Sequence, residues 1–166
     1  HLFDITLDIG NSHDLGSTPE GKKRIVQVTG GKFFGDRASG YVRSEAAADW
    51  VLVRPDKSIK LDVRLTLETS DRALIFMRYE GIRHSSPAIA SKLANNEPID
   101  PSLYYWRASP FFETSNHNYL WINNIVSIAL GQKKEKKGGG KKNIIKKIKK
   151  KEIYIYIYIT NHNHYI

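Results

Sequence analysis

Ile59-Lys60-Leu61-Asp62-Val63-Arg64-Leu65-Thr66-Leu67-Glu68 puts an apolar side chain at every odd position and a polar or charged one at every even position. A period of two is the side-chain period of a β-strand and of no helical face. Five apolar positions in one register predict a long strand with one face in a core. The pattern repeats near the start of the chain, where Phe3, Ile5, Leu7 and Ile9 alternate with Asp4, Thr6 and Asp8. Further strand-like stretches cover 24–29, 32–34, 40–43, 50–54, 73–79, 103–109, 111–114 and 119–130. Gly30-Gly31, Pro55-Asp56, Ser70-Asp71 and Ser115-Asn116 punctuate them as turns, with Gly30-Gly31 also allowing close backbone approach. Many short strands at short spacing predict an all-β protein, an antiparallel barrel or sandwich.

One stretch departs from this period. Ser86 is an N-cap residue, Pro87 suits the first helical position, and Ile89 and Leu93 lie four apart on one face. Asn95-Asn96 ends the turn, so 87–95 is expected as a single short helix over one barrel mouth.

The net charge of +9 belongs entirely to the last 36 residues, which hold eleven lysines and two glutamates. Before Gly131 there are 15 basic and 15 acidic residues, so the basic balance describes a tail and not a domain. Residues 1–130 are expected to form the barrel domain. Residues 131–151 are expected to be a disordered Lys/Gly-rich segment, because like charges at that density repel and bury nothing. In the remainder, 152–166, Ile153 to Ile159 alternate Ile with Tyr. An adenine–thymine repeat encodes that alternation, and the segment reads as translated non-coding sequence. Its period nonetheless suits a strand closing an open barrel edge. The chain has no cysteine, so disulfides and thiolate sites are excluded. No apolar run reaches the length of a membrane span and no secretory pattern opens the chain, which leaves the cytoplasm as the default compartment.

The body resembles an uncharacterised family of small barrel proteins, domain-of-unknown-function family 3237, whose shape is comparable to the lipocalins. The likeness is carried by Thr29-Gly30-Gly31, Ala48-Asp49-Trp50, Leu61-Asp62-Val63-Arg64, Gly81-Ile82-Arg83, Tyr104-Tyr105-Trp106-Arg107, Pro110-Phe111-Phe112-Glu113-Thr114 and Trp121-Ile122-Asn123. The resemblance implies a closed or nearly closed, mostly antiparallel barrel whose lumen holds a small molecule. It implies no particular reaction. Family members end on a further strand after a glycine near position 131, and here a lysine run takes that place.

Polar residues embedded in the strands are the candidate chemistry. Asp62, Glu113 and Tyr105 are candidate acid–base groups, and Asp49, Trp50, Arg64, Arg78, Arg107, Trp121 and Asn123 are candidate ligand contacts. If their face is the lumen, arginines there clamp a polar ligand and desolvation raises a carboxyl pKa toward general acid–base use. Alternation alone does not say which face is inside. The opposite reading puts Asp62 and Arg64 in solvent while Ile59 to Leu67 fill the barrel. Tyr105 with Arg107, and Trp121 with Asn123, each put an aromatic and a polar residue on one expected strand face.

His13, His84 and His117 lack metal-ligand spacing, and His162 with His164 fits a disordered end better than a chelate. No nucleophile elbow or phosphate loop is present, so neither metal nor cofactor is expected. The lysine run attracts nucleic acid or anionic lipid only by charge, without stacking or base-reading groups. The expected partner is a small molecule, with no specific nucleic acid and no membrane, and a homo-oligomer left open. Two functions compete: binding of a small, partly apolar molecule in the lumen, and isomerase, cyclase or hydrolase chemistry in the same pocket.

Overall fold

A computed structural model describes residues 1–95, 97–134 and 151–159. Eight antiparallel strands close into a barrel in chain order: β1 (Phe3–Thr18), β2 (Gly21–Phe34), β3 (Ser39–Val53), β4 (Ile59–Thr69), β5 (Leu74–Ser85), β6 (Tyr104–Glu113), β7 (Ser127–Lys134) and β8 (Lys151–Ile159). Each strand pairs with its sequence neighbours, and β8 pairs back onto β1 from Phe3↔Ile157 to Ile9↔Lys151. A helix α1 (Pro87–Ala94) and two 3-10 helices, Pro101–Leu103 and His117–Asn124, lie in the connections. Among the described residues no helix is long and apolar enough to cross a membrane.

Alternation on β4 resolves which face is inside. Leu61, Val63, Leu65 and Leu67 are buried at 0–3% exposure, while Asp62, Arg64 and Glu68 face out. Each buried aliphatic side chain of this size contributes about 1.5–3 kcal/mol. The same parity runs around the barrel. Ile75, Met77, Tyr79 and Gly81 point inward from β5, Trp106, Ala108, Pro110 and Phe112 from β6, and Ile155 and Ile157 from β8. One end of the interior is closed by aromatics, with the Phe3 ring 5.3 Å from Phe33 and 5.7 Å from Phe112. Ile122, on the second 3-10 helix, is fully buried in the same core cluster.

The opposite end is covered by α1. The Ser86 hydroxyl caps it by accepting from the Ile89 N–H at 3.4 Å, and Asn95 ends it. Leu93 is the buried residue of this helix, and the Lys133 ammonium donates to its carbonyl at 2.6 Å. The seam between β6 and β7 is the thinnest in the wall: only Arg107↔Leu130 and Ala108↔Ala129 pair. Side chains fasten it on either side. The Ser127 hydroxyl donates to the Pro110 carbonyl at 2.7 Å, and the Tyr104 hydroxyl accepts from the Lys133 N–H at 3.1 Å.

Several expectations are corrected. Residues 119–130 are not one strand; Asn116 caps a 3-10 helix by accepting from the Asn118 N–H at 3.0 Å, and β7 begins only at Ser127. Gly30-Gly31 is no turn but lies within β2, beside register shifts on both flanks. The expected close approach is there: a Cβ on Gly31, at φ +153, would lie 2.1 Å from the Thr6 carbonyl oxygen. The barrel also does not stop at 130, since β7 runs to Lys134 and β8 completes the wall. The remainder of the 131–151 segment expected to be disordered, and the His162/His164 end, fall on 135–150 and 160–166, outside the described residues.

Candidate functional site

On the inner wall near the α1 end, one cross-strand row reads Val26, Asp49, Val63, Tyr79, Pro110. Asp49 faces inward because it shares parity with the buried Val51, two residues along β3. Tyr79 is 3% exposed on β5. Four residues further along the same inner face is Arg83, opposite Trp106, with its guanidinium 5.1 Å from the indole centroid. Between these levels, Gly81, Ala108 and Ala129 stand side by side on three adjacent strands. There the wall contributes nothing larger than a methyl group, directly beside Tyr79 and Arg83.

These polar groups do not satisfy one another. The Asp62 N–H donates to Asp49 Oδ1 at 3.2 Å. Among the described residues the Tyr79 hydroxyl and the Arg83 guanidinium make no hydrogen bond or ion pair, and Asp49 makes no other. Burial pushes the Asp49 carboxyl up to about 7, against the opposing pull of the Asp62 N–H and the positive charges of Arg83 and Arg24. Burial likewise raises the Tyr79 hydroxyl, aided by the Asp49 charge. It lowers Arg83, and the neighbouring Arg24 adds to that, while Asp49 and Tyr104 oppose it. Tyr104 is raised by burial as well.

Of the residues singled out in the sequence, Asp49 alone projects into this cluster. Asp62 and Arg64 face outward and pair at 3.5 Å, with the Arg64 guanidinium 4.9 Å from the Trp50 ring centroid. Those three share an outer groove of about 620 Å³ with Lys23, Arg54 and Lys60. Tyr105 and Arg107 also face outward, in a second groove of about 600 Å³, where Arg107 lies 5.2 Å from the Tyr105 ring and that ring stacks on His84 at 5.0 Å. Arg78 lies outside over Phe111 at 5.3 Å, and Glu113 is exposed. Trp121 and Asn123 share no strand face. The Arg37 guanidinium covers Trp121 at 3.4 Å, while the Asn123 amide exchanges two 2.9 Å hydrogen bonds with the Thr114 backbone. A lumen built from Asp62, Arg64, Tyr105, Arg107 and Glu113 is thereby replaced by one built from Asp49, Tyr79 and Arg83. The signal that finds the last two is parity: Tyr79 and Arg83 share the register of Ile75 and Met77. Among the described residues no group of three or more metal-binding side chains comes together.

A family model described as a protein of unknown function, domain-of-unknown-function family 3237, matches residues 1–158. The match takes in β7 and nearly all of β8, so the ending expected to be lost beyond 130 lies within the matched region. A UPF0311 protein of Rhodopseudomonas palustris strain TIE-1 is 36% identical over 122 residues, 74% of this chain and 79% of that protein. The crystal structure of the conserved protein of unknown function RPA1785 from Rhodopseudomonas palustris aligns with a TM-score of 0.82 at 28% identity, over 96% of this chain and 94% of that one. A beta-barrel like protein from Acinetobacter baumannii AYE aligns with a TM-score of 0.73 at 31% identity, over 95% and 92% of the two chains.

Proposed function

The chain belongs to domain-of-unknown-function family 3237, which supplies a barrel and no reaction, and from the interior of that barrel we propose that it holds a small, partly apolar molecule at the α1 end of the lumen. The polar end of the ligand meets Asp49, Tyr79 and Arg83, and its apolar body lies along Gly81, Ala108, Ala129 and Trp106. One observation carries this reading: three buried or half-buried polar groups converge on a wall of minimal side chains without satisfying each other. A buried polar group without a partner costs about 1–3 kcal/mol, which a ligand's oxygen or nitrogen recovers. The outer grooves are the weaker alternative, because Asp62 with Arg64 and Lys60 with Glu80 already compensate there.

A thermal-shift screen of small, partly apolar molecules, followed by calorimetry on the hits, tests the assignment. Asp49→Leu, Tyr79→Phe and Arg83→Met are expected to weaken binding at least about tenfold, a loss of about 1.4 kcal/mol each. Asp62→Asn and Arg107→Ala leave it unchanged. The reverse pattern moves the site to the outer wall.

Acid–base catalysis in the same place is the second reading, favoured by the Asp49 carboxyl being held at about 7. Near neutral pH such a carboxyl exchanges a proton with bound substrate in either direction, as isomerisation, cyclisation or hydrolysis of a small metabolite requires. Turnover that Asp49→Asn abolishes while binding persists selects this reading, and turnover indifferent to that substitution rejects it.

A further inference from the structure

Resting on the lumen assignment, we infer that the bound molecule presents an oxyanion, a carboxylate or an acid of the same geometry, to Arg83 and Tyr79, and that it enters together with a proton on Asp49.

Charged and polar groups surround Asp49 from each element packed around it. Arg24, on the inner parity of β2, lies two residues beyond Val26, the partner of Asp49. From β4 comes the Asp62 backbone N–H, while the Asp62 carboxylate itself turns outward to Arg64. From β5 come the Tyr79 hydroxyl and the Arg83 guanidinium, and from β6 the Tyr104 hydroxyl, engaged by the Lys133 N–H. Asp14 on β1 stands opposite Arg24 at the rim, where its Oδ1 accepts from the Gly16 N–H at 2.8 Å. The interior therefore offers the Arg83 guanidinium, the free Tyr79 phenol, the engaged Tyr104 phenol and one carboxyl that titrates, with Arg24 exposed at the rim.

That set suits an anion. An ammonium ligand meets repulsion from Arg83 and finds its counter-charge only when Asp49 ionises, in a place where burial opposes ionisation. A neutral amide leaves Arg83 without a counter-ion. A carboxylate accepts from Arg83 and from the Tyr79 hydroxyl, in charge-assisted hydrogen bonds that are the stronger kind. Its negative charge favours the protonated form of Asp49, whose O–H then donates to the same ligand. Binding and proton uptake are thus linked, and the proton comes from solvent.

The test uses three probes on one skeleton, phenylacetate, phenylacetamide and phenethylamine, with the full chain carrying ¹³C-labelled alanine methyls. Shifts of the Ala108 and Ala129 methyl resonances report lumen occupancy whatever the charge of the probe. Phenylacetate is expected to bind at least about tenfold more tightly than either neutral or cationic analogue. Calorimetry at pH 7 in buffers of different ionisation enthalpy is expected to show uptake of about half a proton, and above pH 7 affinity falls toward about tenfold per pH unit. Asp49→Asn removes the proton uptake, and Arg83→Met removes the preference for phenylacetate while Arg107→Met does not. If the amide or the amine moves the alanine methyls at equal or lower concentration, the oxyanion assignment is wrong and the lumen site stands. Phenylacetate binding without proton uptake in the unsubstituted protein overturns the linkage. If no probe moves those methyls, both assignments fail.

Discussion

The indole of Trp106 occupies the space that a side chain on Gly131 would need: a Cβ there would lie 2.4 Å from both Cδ2 and Cε2 of the ring. The two residues face each other across the sparsely paired seam between β6 and β7, and the ring is 3% exposed. Gly131→Ala must displace a buried indole, so unfolding in urea is expected to show a loss of about 1–3 kcal/mol. An unchanged midpoint would show that Trp106 swings aside freely.

Within the Ile-Tyr run of β8 the two faces are unequal. Ile157 is fully buried and pairs with Phe3 on one side and Ala129 on the other, whereas Tyr156 faces outward and is half-buried. Ile157→Ala is expected to cost about 2–5 kcal/mol by denaturant titration. Tyr156→Ala is expected to cost less than about 1 kcal/mol. Equal losses would mean that β8 does not sit in this register.

Asp49 makes stability depend on pH. Its ordinary value of 3.8 applies to the unfolded chain, and in the barrel the carboxyl is held at about 7. The fold favours the protonated form, so the stabilising contribution is complete below about pH 4 and is lost as pH rises to about 7. Relative to Asp49→Asn, the unsubstituted protein is expected to lose at most about 4 kcal/mol across that window, less whatever solvent recovers at a half-buried group. Parallel pH profiles for the two proteins would place the carboxyl in water.

The bond from Lys133 to the Leu93 carbonyl ties α1 to the wall at 2.6 Å. Lys133→Met is expected to speed hydrogen exchange of the α1 amides while leaving β4 and β5 amides unchanged. Exchange that rises equally everywhere would mean the substitution lowers global stability instead of freeing the helix.

The cores of most strands, the helix α1 with its Ser86 cap and the strand period of 153–159 are legible in the sequence, because period and capping chemistry are local properties. The inside of the barrel is not. Alternation on β4 divides Leu61 from Asp62 with equal clarity whichever face is buried, and only closure against seven other strands decides it. Asp49 went inward because Val51 did, and Asp62 outward because Leu61 took the interior. Residues 119–130 deceived for another reason: they are apolar enough for a strand, yet Asn116 and Asn123 bind backbone groups and tighten 117–124 into a 3-10 turn. Long β2 and β3 read as separate short runs because irregular pairing around Gly31 and between Arg43 and Ala48 breaks their period.

The pairing of β1 with β8 joins the first and last described strands, while every other pair joins neighbours in sequence. Folding can therefore proceed strand by strand between sequence neighbours, until one contact spanning nearly the whole chain bends the sheet into a ring. Before that event both rims are unpaired strands, and Phe3, Ile5 and Leu7 lie bare to any other extended chain. The hydrophobic Ile face of β8 is what shields them. The last step of folding thus governs both whether the lumen exists and how long the newly made sheet remains open to self-association.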